Sequence, residues 1–97
     1  MSAHLVWIDL EMTGLNLEHD RIIEMATVIT DGDLNVIAEG PVLAIRQEHA
    51  LLDGMDEWNQ THHSASGLLD RIAREGVSEI EAEAQTLAFI EDHVAPN

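Results

Sequence analysis

Asp9 and Glu11 are the residues of this chain best suited to chemistry, two acids inside the apolar run Leu5-Val6-Trp7-Ile8-Asp9-Leu10-Glu11-Met12. In a strand, residues two apart project from one face, roughly 6–7 Å apart along the chain. Two carboxylates among apolar neighbours repel each other and resist desolvation unless a cation joins them. A hard divalent ion, Mg2+ or Mn2+, suits an all-oxygen ligand set. Two such ions about 4 Å apart, bridged by one carboxylate and flanked by the other, are equipped for in-line attack on a phosphodiester. The same spacing also fits a strand end at which both acids are simply solvated.

The elements that must position this pair are legible in outline. Residues 5–12 read as a strand bounded by Thr13-Gly14. Val6, Ile8, Leu10 and Met12 form one face, while Leu5 and Trp7 share the other with the two acids. Two largely apolar faces predict a central strand covered on both sides. Residues 22–29 read as a second strand, rich in branched side chains. Asp31-Gly32-Asp33 is a hairpin turn signal, and a third strand follows over about residues 35–45. Its Pro41 predicts an edge or bulged strand.

Helical spacing then sets in with Leu51, Leu52, Met55 and Trp58. Ser64-Ala65-Ser66-Gly67 is a break whose serines are expected to cap a short helix with Leu68, Leu69 and Ile72, ended by Gly76. Ser78 with Glu81 matches a capping box. It opens a helix with Ile80, Ala84, Leu87, Ile90 and Val94 on one stripe, stopped by Pro96. The expected class is α/β, a three-strand antiparallel meander followed by helices. A meander gives residues 5–12 at most one neighbouring strand. The sequence therefore looks like half of a sheet, with a long apolar edge of the kind that proteins normally cover.

Composition narrows the partners. The 97 residues bound one small domain or a piece of a larger one. Nineteen acids face four arginines and no lysine, a formal charge of −15. That excludes a basic footprint on long duplex nucleic acid and argues against an anionic membrane surface. The absence of cysteine excludes a disulfide scaffold, a zinc–thiolate site and a cysteine nucleophile. No apolar run approaches the roughly 18 residues of a membrane span, and no basic-then-apolar leader opens the chain; a cytoplasmic location is expected. The acidity also fits a halophilic surface kept for solubility.

Ile8-Asp9-Leu10-Glu11-Met12-Thr13-Gly14-Leu15 with Arg21-Ile22-Ile23-Glu24 resembles the first exonuclease motif of the oligoribonucleases, members of the DEDD superfamily of 3′→5′ exonucleases. The likeness continues through residues 34–41, then Trp58-Asn59, then His63-Ser64-Ala65-Ser66-Gly67-Leu68. The D-x-E pair is common to the superfamily, and the block from Trp58 to Gly67 is the part closest to the oligoribonucleases. The resemblance implies an RNase H-like fold. It implies that Asp9 and Glu11 are ligands of two divalent ions and that Thr13 and Gly14 lie against the 3′-terminal ribose. It further implies that Leu15 wedges between two bases, and that Trp58 and His63 line the base pocket. The substrate would be short RNA, dinucleotides above all, cut to 5′-mononucleotides, and the complete protein would be a homodimer. The family's later metal-binding aspartates, its general-base histidine and its 5′-phosphate cap have no counterpart here. The resemblance thus implies that residues 1–97 are the N-terminal portion of one exonuclease domain, inactive alone.

Each assignment has a plainer counterpart. Leu15 also fits a plug for the turn, and Trp58 shares a helical stripe with Leu51 and Met55. His62 and His63 also fit a cap or a solvated pair, and His62 is read as structural. Glu24 is read as an internal hydrogen-bond partner. Asp31-Asp33-Asn35 opens like an EF-hand loop, but Val36 and Val42 stand where glycine and glutamate are needed. Other classes compatible with the sequence are a DEDD-type DNA exonuclease and a non-catalytic acidic module that binds metal or nucleotide.

Overall fold

The computed structural model describes residues 3–94. Three strands, β1 (Leu5–Met12), β2 (Ile22–Thr30) and β3 (Val36–Ala44), form one antiparallel sheet in the order β1-β2-β3. Four helices follow: α1 (His49–Asp53), α2 (Glu57–Ala65), α3 (Leu68–Glu75) and α4 (Glu79–His93). The α/β order expected from the sequence stands, and β1 has the bounds read from it. Pro96 lies outside the described residues.

Among the described residues β1 pairs only with β2, Leu5 opposite Thr30 through Glu11 opposite Glu24. It is the long apolar edge that a meander implies, and the central position suggested by its two apolar faces is not found. Leu5, Val6, Trp7 and Ile8 remain 37–51% exposed, because no element closes over their outer flank among the described residues. The Trp7 indole finds a partner within the sheet and donates to Thr30 Oγ1 at 3.0 Å.

β3 is the opposite edge and is bulged, as Pro41 predicts. Ala26 faces Val42 while Val28 faces Glu39, so Gly40 and Pro41 together oppose Thr27. The turn between β2 and β3 spans residues 31–35, two more than the Asp31-Gly32-Asp33 signal. Asp31 accepts from the amides of Asp33 and Asn35 at 2.9 and 3.0 Å and from Asn35 Nδ2 at 3.1 Å. Leu34, not Gly32, takes the left-handed conformation, with φ 67°.

The single helix suggested by Leu51 to Trp58 is two helices broken at Gly54. Met55 drops into the break and is buried, while Asp56 caps α2 by accepting from the Asn59 amide at 2.8 Å. Gln60 Nε2 ties the pair together by donating to Leu52 O at 2.7 Å. α2 also runs through Ser64 and Ala65, so the break falls one residue pair later than read. Gly67, at φ 82°, is the cap of α3 and offers no side chain. Only the Ser66 hydroxyl contributes, accepting from Leu68 N at 3.4 Å.

One buried cluster lies where Ile23 and Ala44 meet Met55, Leu68 and Ile72, and Ile29 and Ala82 are buried outside it. Val77 joins the sheet through a parallel bridge to Ile45, with Arg46 N donating to Val77 O at 2.7 Å. α4 lies on β2 and β3, and here the stripe read from the sequence is met only at its C-terminal end, where Ile90 and Val94 are half-buried. Ala82 and Thr86 face inward, whereas Ile80 is 81% and Leu87 48% exposed. Thr86 Oγ1 lies 3.2 Å from Met25 Sδ, and Phe89 covers Gly40. Close approach to the sheet selects the small side chains, not the most apolar ones. The Ser78 cap is as expected, its hydroxyl accepting from Glu81 N at 3.1 Å.

The molecule is elongated, 47 × 26 × 24 Å with a radius of gyration of 15.1 Å. A compact domain of this length has about 12.5 Å. No described helix is long and apolar enough to cross a membrane.

Candidate active site

β1 delivers Asp9 and Glu11 to one face, as their spacing requires. Asp9 faces Ala26 across the ladder and is exposed; Glu11 faces Glu24 and is half-buried. The desolvated setting expected for both acids is therefore not found, because β1 is an edge. Two like charges directly opposite on adjacent strands oppose pairing, and a cation resolves the conflict at Glu24. Arg71, reaching from α3, donates to Glu24 Oε2. Arg71 is held charged first by that hydrogen bond, against the cost of its own burial. Glu24 is thus the internal partner read from the sequence, and Glu11 has no ion-pair partner among the described residues.

Beyond β1 the chain enters a loop, residues 13–20, locked by Asp20. The Thr13 hydroxyl donates to Asp20 Oδ1 at 2.8 Å and accepts from the Arg21 amide at 3.0 Å. Asp20 Oδ2 accepts from the Asn16 amide at 2.8 Å. These bonds hold the Asp20 carboxyl below the usual aspartate range, the Asn16 amide first and the Thr13 hydroxyl second. Gly14 packs so tightly on this carboxylate that a Cβ would lie 2.5 Å from Asp20 Oδ2. Thr13 is only 2% exposed, so its hydroxyl serves the loop and does not face the cleft. The loop presents Leu15 instead, 91% exposed. The plug reading of Leu15 is therefore excluded.

Between this loop and α2 lies a cleft of about 490 Å³, lined among others by Glu11, Gly14, Leu15, Asp56, Trp58 and Asn59. Trp58 is 68% exposed, so it is not a core residue despite its spacing with Leu51 and Met55. Its ring stacks on His62, centroids 4.7 Å apart and planes 13° apart. His63 is buried, and its Nε2 lies 3.0 Å from the Met12 carbonyl. It braces the end of β1 through that contact. One ligand atom each from Glu11, His62 and His63 lies within 4.8 Å of the others.

The structure brings Glu11, Gly14, Leu15 and Trp58 together around one cleft. Asp9 shares the face of Glu11, while His63 is buried against the Met12 carbonyl, close to Glu11 and His62. The sequence reading missed two residues. His62 stands four positions after Trp58, a spacing that brings side chains together on a helix. Asp20 carries no local signal, since only the closed loop brings it to Thr13. Asp9 and Glu11 suit a hard divalent ion, being oxygen donors on one face with open access.

A family model described as exonuclease matches residues 6–97. Among curated proteins, the oligoribonuclease of Alcanivorax borkumensis is 63% identical over 91 residues, 94% of this chain and 50% of its own length. That of Thiobacillus denitrificans is 56% identical over 94 residues, covering 97% and 52%. The Pseudomonas aeruginosa oligoribonuclease is 60% identical over 91 residues, covering 94% and 51%. The chain spans about half the length of these curated relatives.

Proposed function

Because this chain belongs to the exonuclease family, we propose that it forms the N-terminal portion of a 3′→5′ exoribonuclease that cuts very short RNA, dinucleotides above all, to 5′-mononucleotides. The meander followed by helices accords with an RNase H-like α/β fold. The observation that carries the reading is the convergence of Glu11, Leu15 and Trp58 on one cleft, with Asp9 on the same strand face.

In this reading Asp9 and Glu11 offer carboxylate oxygens to two divalent ions, Mg2+ or Mn2+. When bound, such ions supply the Lewis-acid charge and the activated water for in-line displacement at phosphorus. Trp58 offers a flat face that stacks on any base, which suits a sequence-tolerant enzyme. Leu15 is placed to enter between two bases, and Gly14, whose missing side chain makes room for the Asp20 carboxylate, lines the cleft on the ribose side. Asp20, through Thr13 and Asn16, holds that loop in shape. Net acidity is compatible with the substrate, since a dinucleotide carries few phosphates and bound cations offset the local charge. A cytoplasmic homodimer, completed by further metal ligands and a general base outside these residues, belongs to the same proposal; alone, the chain is expected to be inactive.

The test joins this chain to the second half of one of its curated relatives and measures hydrolysis of RNA dinucleotides with Mg2+ or Mn2+. Asp9→Ala and Glu11→Ala are each expected to slow the reaction by about a thousandfold or more, since metal charge supplies several kcal/mol of transition-state stabilisation. Unchanged rates in both variants would overturn the metal assignment. Faster cutting of single-stranded DNA would replace the RNA assignment by a DNA exonuclease.

A further inference from the structure

Glu11, His62 and His63 make a donor set chemically unlike the Asp9–Glu11 pair. One nitrogen from each imidazole and one Glu11 oxygen lie within 4.8 Å of one another. His63 is 1% exposed. Its Nε2 lies 3.0 Å from the Met12 carbonyl, which can only accept, so Nε2 carries the proton. The lone pair is therefore on Nδ1, which is buried and has no hydrogen-bond partner among the described residues. A histidine that donates one N–H to a backbone carbonyl and keeps its other nitrogen free has the arrangement of metal-bound histidines. The His62 ring is exposed and held in place by its stack on Trp58.

We propose that Glu11, His62 and His63 form a binding site for a divalent transition metal of the Zn2+ class. Two imidazoles and a carboxylate are a donor set that Zn2+ accepts, with water completing a tetrahedron. Bonds of about 2.0–2.2 Å place tetrahedral ligand atoms roughly 3.4 Å apart. The set must close by up to about 1.4 Å, which the exposed His62 and half-buried Glu11 can do by small rotations. Mg2+ favours oxygen and gains little from two imidazoles. Glu11 is common to this site and to the hard-ion pair with Asp9, so Zn2+ antagonises Mg2+. That antagonism rests on the proposed role of Asp9 and Glu11; the imidazole site does not.

The test titrates the whole chain, as a Trp7→Phe variant, with Co2+ as the probe for this class. Visible absorption reports tetrahedral Co2+, and quenching of the remaining indole, Trp58, reports binding next to His62. One ion per chain is expected. His62→Gln, an exposed position checked by an unchanged melting temperature, is expected to weaken Co2+ binding by at least about tenfold. Glu11→Gln should do the same, and Asp9→Asn should not. Added Mg2+ should raise the Co2+ midpoint with Asp9 present and fail to do so in Asp9→Asn. Wild-type Co2+ affinity in His62→Gln would overturn the site and leave the Asp9–Glu11 reading untouched. Loss of Mg2+ competition alone would overturn only the sharing of Glu11.

Discussion

At the scale of single residues, the site is organised by side chains that do not enter the cleft. Asp20 is the clearest case, collecting the Thr13 hydroxyl and the Asn16 amide while its carboxylate leaves no room for a side chain at Gly14. Its pKa is lowered in the folded chain, above all by the Asn16 amide. A carboxyl with a lowered folded pKa adds stability that is present above its unfolded pKa and lost as pH falls through the folded one. Asp20→Asn should therefore lower the melting temperature at neutral pH. The gap to wild type should close on the acid side of the ordinary aspartate range, as thermal melts at both pH values would show. A constant gap would mean that the charge is irrelevant to the loop. The Asp9–Glu11 pair was legible because strand alternation is local. The fates of Thr13 and Asp20 were not, because a contact across a closed loop leaves no periodic trace.

At the scale of elements, the sequence was most informative where one bond decides the outcome. The Ser78 cap and the Pro41 bulge fall where their chemistry requires. The inward face of α4 was not legible, because the sheet surface chooses it and two faces of that helix carry apolar residues. Ile80→Gln should accordingly change stability by less than about 0.5 kcal/mol. Ala82→Gln, forcing a long polar chain between α4 and the sheet, should cost about 1–3 kcal/mol; denaturant melts of both variants would reverse the stripe if Ile80→Gln proved the worse. The tie between α3 and β2 is similarly testable. Arg71 and Glu24 are partly exposed, 28% and 21% at the side chain, so solvent screens much of the pair's energy. Arg71→Ala leaves Glu24 facing Glu11 without its cation and should cost about 1–2 kcal/mol. A Glu24→Gln change on that background should recover part of the loss, a coupling that a double-mutant cycle measures.

At the scale of the whole molecule, β1 is an apolar strand with a neighbour on only one side, which leaves Leu5 to Ile8 exposed. Such an edge is a template for another chain. The isolated protein should therefore associate as concentration rises. Ile8→Lys, a charge on that edge, should suppress association in sedimentation experiments; a monomer at every concentration for the unmodified chain would contradict this account. The same one-sidedness sets a rhythm in solvent exchange of the backbone. Along an antiparallel edge only alternate N–H groups reach the neighbouring strand. In Leu5–Glu11, before the register shifts at Met12, slowly and quickly exchanging amides should therefore alternate residue by residue, a comb of seven teeth. Anything that docks along this edge, strand for strand, would slow only the fast teeth and so write its own register into the pattern.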